Sequence, residues 1–462
     1  MAVNNNSELY HSLRKQYPVF TYHAYHYGLD KDKNLCISFD FSIGETIHFR
    51  PQSKIQYHPV FEQFYKKNNL SELDNLIFNI GMIELISYWK CTCSPTIIIK
   101  SGLLDRKAIG WWKKLYYHGL GEFFYCNNIT TDTKSFATID CRSEKKFEKK
   151  QYLLNDETII PVGGGKDSVV TLELLKNKNN IPLIINPRGA SLACVEKSGY
   201  SDNFLNIQRT IDADLLELND KGFLNGHTPF SAMLAFYSIL TAVLSCKKNI
   251  ALSNESSANE ATVKDSDINH QYSKSIAFEK DFRDYVYNYI NEDINYYSFL
   301  RPLSELQIAL LFSQFSAYFP VFKSCNVGSK TDIWCCNCSK CLFTFIILSP
   351  FLSPTVLKTI FSVNLFDKEN LIPTLQELIG ETEAKPFECV GTIEEVCIAL
   401  CESIQQYKTL PPLLHYFKNT SHYQTFKNVS IQDVLATSEL NHFLPLLTDK
   451  NSIKKIKEIL SK

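Results

Sequence analysis

Three consecutive glycines, Gly163, Gly164 and Gly165, stand between an apolar run, Ile159-Ile160-Pro161-Val162, and a helix-like segment that opens Lys166-Asp167-Ser168. Glycine lets a ligand approach the backbone closely, and the free N–H groups of a helix start attract anions. Such a turn invites phosphate. A Walker A loop requires a glycine, four residues and then Gly-Lys-Ser/Thr. Here Asp167 follows Gly165-Lys166, and Ile160 occupies the place of the first glycine. A dinucleotide fingerprint requires a third glycine where Ser168 stands, and an acid closing the second strand, which instead ends Asn186-Pro187-Arg188. A tight strand-to-helix turn with no ligand would need only one glycine.

The pyrophosphatase-type pattern S-G-G-x-D-S fits better. Gly164 to Ser168 match it, and Gly163 replaces the first serine. Enzymes with this loop cleave ATP between the α and β phosphates and pass AMP to an oxygen, so the match implies adenylation. Ser168 adds a hydroxyl. Asp167 suits an indirect Mg²⁺ contact better than a direct phosphate contact. Lys166 points either to the phosphates or to solvent.

A second group with chemistry is Cys325, Cys335, Cys338 and Cys341, spaced C-x9-C-x2-C-x2-C within seventeen residues. Four thiolates suit tetrahedral Zn²⁺, and a closed four-sulfur site has a structural role. Buried free thiols or an iron–sulfur cluster are the alternatives. Cys336 is a surplus thiol that competes as a ligand. Cys91 and Cys93 are expected to pack as small hydrophobes. Queuosine-precursor synthases share the glycine loop and carry a similar knot.

The elements that must position these groups alternate strand and helix. Strands are expected at Glu157–Val162, Ile181–Asn186, Asp214–Leu218 and Asn249–Ser253, with helices at Asp167–Asn177 and Thr228–Cys246. This pattern predicts an α/β fold with a parallel doubly wound sheet, which binds ligands at the carboxyl ends of its strands. Residues 1–150 read as a mixed α/β domain, with strands at Leu35–Phe41 and Thr96–Lys100 and a helix at Leu73–Trp89. Residues 151–345 read as the nucleotide-binding domain with the knot, and 346–462 as a helical region. The charged stretch Arg142–Gln151 reads as a linker.

The chain has 462 residues, 45% hydrophobic and 21% charged, with a formal net charge of −1. No basic excess points to nucleic acid. Fifteen cysteines, scattered except for the group near 335–341, in so long a chain favour a reducing compartment, hence a cytoplasmic location. The N-terminus shows no signal-peptide pattern. The uncharged stretch Thr228–Cys246 is diluted by Ser, Thr and Tyr and reads as a buried helix, not a membrane span.

Taken in order, the motifs resemble the UDP-N-acetylmuramoyl-L-alanyl-L-glutamate epimerases of bacterial cell-wall synthesis. They are His118-Gly119-Leu120-Gly121-Glu122-Phe123, the glycine loop, Asn186-Pro187-Arg188-Gly189, Leu252-Ser253-Asn254-Glu255, Asn269-His270-Gln271 with Ser273-Lys274-Ser275, Leu300-Arg301-Pro302-Leu303-Ser304-Glu305, the knot, and Lys385–Gly391. The resemblance implies conversion of the terminal L-Glu of UDP-MurNAc-L-Ala-L-Glu to D-Glu, with ATP and Mg²⁺ consumed as AMP and pyrophosphate form. It also implies a structural Zn²⁺ and a partner ligase that adds L-Glu to muramoyl-L-alanine. His118, Glu122, His270 and Cys389 are the candidates for moving the proton. Asn254 and Glu255 follow a strand end beside the loop and are candidates for ATP or Mg²⁺ contact. Arg188 and Arg301 are candidate anchors for carboxylate or phosphate. Two other readings stand beside this one: an adenylating enzyme of modified-base synthesis, and a zinc-stabilised nucleotide-binding protein without catalysis.

Overall fold

Runs of Ile, Leu and Phe too short for helices build one mixed sheet in the computed structural model, which describes residues 4–445 and 450–460. Its strands are β1 (Val19–Leu29), β2 (Leu35–Ile43), β3 (Ile47–Phe49), β4 (Gln52–Ile55), β5 (Thr96–Ile99), β6 (Thr138–Cys141), β7 (Asn155–Pro161), β8 (Ile181–Ile185), β9 (Leu205–Thr210), β10 (Lys247–Leu252) and β11 (Asn295–Ser298). They lie in the order β11-β10-β7-β8-β9-β4-β2-β1-β5-β6, with β3 on β2. From β11 to β9 all neighbours are parallel. At β9 the sheet changes character: β4 pairs antiparallel with it, Ile55 opposite Ile207. The sheet thus runs unbroken from the strands before residue 150 to those after it.

The fold is α/β with a helical C-terminal region, as the alternation predicts. Successive residues of the central strands feed different cores. Ile159 joins a core made with the N-terminal strands and the helices Asp74–Trp89 and Phe230–Leu244, and Ile160 joins one made with the C-terminal helices. Burial on both faces explains why these strands read as continuous apolar runs. The two helices of the first core pack on each other. Asp74–Trp89 is apolar nearly all round because it is enclosed. Phe230–Leu244 lies within the expected buried segment and has 15 residues. Among the described residues, no helix is long and apolar enough to cross a membrane.

One expected strand is misplaced. Residues 213–220 form a helix, Ala213–Asp220, because Asp212 caps it by accepting from the Asp214 N–H at 3.0 Å and Leu215 and Leu218 share one buried face. The strand lies earlier, at Leu205–Thr210, where buried Leu205 and Ile207 alternate with polar residues.

A buried ion pair crosses from the first half of the chain to the second. Arg209 on β9 donates from Nε and Nη2 to Glu84 at 2.6 and 2.8 Å, and the Tyr237 hydroxyl donates to the same carboxylate at 3.2 Å.

Candidate functional site

The glycine loop joins the carboxyl end of β7 to the helix Lys166–Leu174. Gly164 has φ of +90°, and a Cβ there would lie 2.7 Å from the Ala190 carbonyl carbon, so glycine is compulsory. The Gly164 N–H donates to the Ser168 hydroxyl at 3.1 Å, and that hydroxyl donates to the Gly165 carbonyl at 2.9 Å. Ser168 thus clamps the turn from inside. Gly163 is different: it is exposed, and a Cβ there would meet nothing within 4 Å. Fold sterics do not demand glycine at 163. The space it leaves open belongs to a cavity of about 470 Å³ at the ends of β7 and β8, lined also by Asp167, Arg188, Lys274, Lys323, Lys340 and Cys389.

Lys166 points to neither phosphates nor solvent. Its ammonium is buried under the loop, where it donates to Asp167 at 2.5 Å and to Glu305. Burial pushes this amine down, but Asp167 and Glu305 outweigh it and hold it charged. Glu305 is pushed up by burial, and its crowding by Asp167, Glu255 and Glu395 works against the pull of Lys166. Glu395 ties this layer to the C-terminal helices: it caps Thr392 and accepts the Glu305 N–H at 2.6 Å. Asp167 is the carboxylate of the layer that reaches the cavity.

Cys389 lies across the cavity from the glycines. Lys274 donates to its sulfur at 3.0 Å, Lys340 donates to its carbonyl, and His270 hydrogen-bonds the sulfur. Burial alone would push the thiol up; Lys274, the His270 hydrogen bond and Lys340 outweigh it and bring it to about 6. His270 Nδ1 in turn meets Glu122 Oε2 at 2.5 Å. Burial would push this imidazole down, but its bonds to Cys389 and Glu122 raise it to about 9. A near-neutral solution therefore finds a thiolate beside an imidazolium, a pair suited to taking a proton.

The four cysteines of the knot come together. Cys325 and Cys338 sulfurs are 3.9 Å apart and Cys335 and Cys341 sulfurs 3.8 Å. Tetrahedral zinc thiolates at about 2.3 Å from the metal stand about 3.8 Å from each other, so the donor set fits Zn²⁺. The N–H groups of Gly328 and Cys335 donate to the Cys325 sulfur at 3.1 and 3.4 Å, as expected around a thiolate. Cys336 does not join; its thiol donates to the Phe361 carbonyl at 3.2 Å. Lys340 is carried between two of the four sulfurs and so couples the knot to Cys389.

Of the remaining candidates, Arg188 lines the cavity and the others stand apart from it. His118 stacks on Tyr272, with centroids 5.0 Å apart, and lines a separate cavity of about 610 Å³. Arg301 is fully enclosed and braces the backbone: it donates to the carbonyls of Glu255 and Lys274 and to Glu279. It therefore orients the Lys274 segment without reaching the cavity. Asn254 and Glu255 follow β10, beside β7 as expected, but are buried; Asn254 donates to Ser298 at 3.0 Å. Arg188 is exposed at the cavity mouth. Sequence reasoning assigned no role to Lys274, Lys340, Glu305 or His227. Lys274 and Glu305 lay within quoted motifs, and Lys340 within the knot spacing; nothing local marks His227.

Comparison with known proteins agrees with this layout. The family model described as the MurL N-terminal domain matches residues 11–299, and that of the MurL C-terminal domain matches 321–423. Three curated relatives carry the name UDP-N-acetyl-alpha-D-muramoyl-L-alanyl-L-glutamate epimerase. The protein of Xanthomonas oryzae pv. oryzae is 31% identical over 83% of this chain and 86% of its own. That of a Micromonospora species is 35% identical over 72% and 75%, and that of Salinispora tropica 30% over 82% and 84%. No solved structure matches the chain. With both family models matched in order, and relatives at this identity aligned along most of their length, the chain belongs to the MurL family.

Proposed function

We propose that the protein epimerises the terminal L-glutamate of UDP-MurNAc-L-Ala-L-Glu to D-glutamate in peptidoglycan precursor synthesis, at the cost of ATP. The observation that carries this reading is one cavity with two unlike walls: a glycine loop suited to phosphate, and the Cys389 sulfur accepting from the Lys274 ammonium, with Lys340 on the Cys389 carbonyl. The relatives' shared name supplies the substrate class.

A proton α to a carboxylate is hard to remove, because the enolate adds charge beside existing charge. ATP supplies an AMP group that masks the carboxylate and withdraws electrons, leaving AMP and pyrophosphate as products. Gly163 leaves room for the phosphates, and Asp167 would hold Mg²⁺. Arg188 and Lys323 at the cavity wall attract the anionic substrate. Cys389 takes the α-proton, and Lys274 steadies the charge on its sulfur. The knot, holding Zn²⁺, keeps Lys340 against Cys389. A ligase adding L-Glu to UDP-MurNAc-L-Ala would feed this reaction.

The test is incubation with UDP-MurNAc-L-Ala-L-Glu, ATP and Mg²⁺ in D₂O. AMP formation together with deuterium at the glutamyl α-carbon, and none at the alanyl, is expected. ATP consumption without α-deuteration overturns the reading. Modified-base synthesis predicts AMP release with a deazapurine acid instead.

A further inference from the structure

The strap of chain from Lys323 to Asp332 runs into the knot and also walls the cavity, through Lys323, Ser324, Asn326, Ser329 and Asp332. It backs the glycine loop at two places. At its start the Lys323 N–H donates to the Gly164 carbonyl at 2.9 Å, and a Cβ on Gly165 would lie 2.8 Å from the Ser324 hydroxyl. At its far end the contact passes through the helix Gly189–Lys197. Asp332 accepts the Ala190 N–H at 2.8 Å, and the Ala190–Ser191 peptide is the backbone that Gly164 packs against. Gly189 leaves room for this cap: its φ is +31°, and a Cβ there would lie 2.3 Å from the Asp332 carboxyl carbon.

The other side of the strap is fastened to the knot. The N–H groups of Gly328 and Cys335 converge on the Cys325 sulfur, and the Gly328 carbonyl accepts from Thr331 and Ile333 at 3.2 and 3.1 Å. Inside this turn Asp332 has φ of +55°, a left-handed conformation that its surroundings must hold. A metal-bound thiolate is fixed in place and accepts N–H groups more strongly than a free thiol does. An unbroken series of contacts therefore leads from the Cys325 sulfur through the strap to Asp332, then to the first turn of the helix, then to Gly164.

We propose that Asp332 is a positioning residue that links the knot to the nucleotide: it seats the start of the Gly189–Lys197 helix behind the glycine loop when the knot holds its metal, so that Zn²⁺ and ATP each bind more tightly in the presence of the other. The proposal rests on the reading of the glycine loop as the ATP site. By taking the Ala190 N–H, the Asp332 carboxylate also denies that helix start to phosphate and leaves the open space at Gly163 for it. Linkage is reciprocal, so the factor by which the closed knot tightens the nucleotide is the factor by which the nucleotide tightens Zn²⁺.

The test uses full-length, zinc-loaded protein with Mg²⁺ and α,β-methylene-ATP, whose α–β bridge resists cleavage. Zinc retained against graded TPEN, a chelator that leaves Mg²⁺ alone, is read at equilibrium with and without the nucleotide. In wild type the nucleotide should tighten Zn²⁺ by about 10-fold, within the usual range of coupling between sites. Asp332→Ala should hold stoichiometric zinc before chelation but lose this effect, and calorimetry should show its nucleotide affinity down by about 10-fold. Asp332→Asn should keep the linkage, because its amide oxygen can accept the Ala190 N–H. Gly189→Ala tests the same contact from outside the knot, and decides where Asp332→Ala does not hold zinc: its methyl displaces the carboxylate, so the linkage should vanish.

Zinc affinity indifferent to nucleotide in wild type, linkage surviving in Asp332→Ala or Gly189→Ala, or linkage lost in Asp332→Asn each overturns the proposal. Zinc-loaded wild type that binds no nucleotide overturns instead the reading of the glycine loop, so the two failures are distinguishable.

Discussion

The proposed role of Cys389 as the base rests on Lys274, His270 and Lys340, which outweigh the cost of desolvating its thiolate. Cys389→Ser should lower α-deuterium exchange by about 10²–10⁴-fold, the usual share of a positioned acid or base. Mass spectrometry of the glutamyl fragment checks this. Activity should rise with pH through about 6, as the thiolate forms, and fall through about 9, as His270 loses its proton. The pair titrates together, so a bell-shaped kcat/KM profile reports both limits. The glycines allow a second residue-scale experiment, because 163 and 164 are glycine for different reasons. Gly164→Ala forces a strained φ and a clash with Ala190, so it should destabilise the fold and abolish nucleotide binding together. Gly163→Ala meets no protein atom, so stability should stay within about 0.5 kcal/mol while ATP affinity falls. Thermal melts with and without nucleotide separate the two effects.

At the level of elements, the helix Ser339–Leu348 carries both Lys340 and Cys341 of the knot, so the knot fixes where Lys340 stands. Zinc analysis of purified protein should find stoichiometric metal. Cys338→Ser or strong chelation should remove it, lower Tm, and raise the Cys389 alkylation midpoint as Lys340 withdraws. The glycine loop and the knot were legible in the sequence because each is local: its spacing alone brings the groups together. The strand expected at Asp214–Leu218 went astray because a short apolar run fits strand or helix, and the Asp212 cap decided for helix. Lys166 was unreadable for another reason. Its partner Glu305 lies 139 residues away, so only the tertiary fold turns the ammonium inward. His270 and Glu122, separated by 148 residues, could be named as candidates but not paired.

For the whole molecule, the seam between β4 and β9 joins strands from opposite sides of residue 150, and the Glu84–Arg209 pair lies across it. Arg209→Met leaves the Glu84 carboxylate buried without its cation, which should cost about 3–5 kcal/mol. Because one sheet and one shared core tie the halves, urea unfolding followed by tryptophan fluorescence and by far-UV circular dichroism should shift together. Separate transitions would contradict a single cooperative unit. The seam also sets the order of events at the ribosome. β4 emerges long before β9, so its antiparallel edge must wait unpaired while some 150 residues are synthesised. An unpaired edge is a template for pairing with the wrong neighbour. Overproduction of this protein should therefore favour inclusion bodies when translation is fast, and slow induction in the cold, or a chaperone that shelters the early half, should recover soluble material.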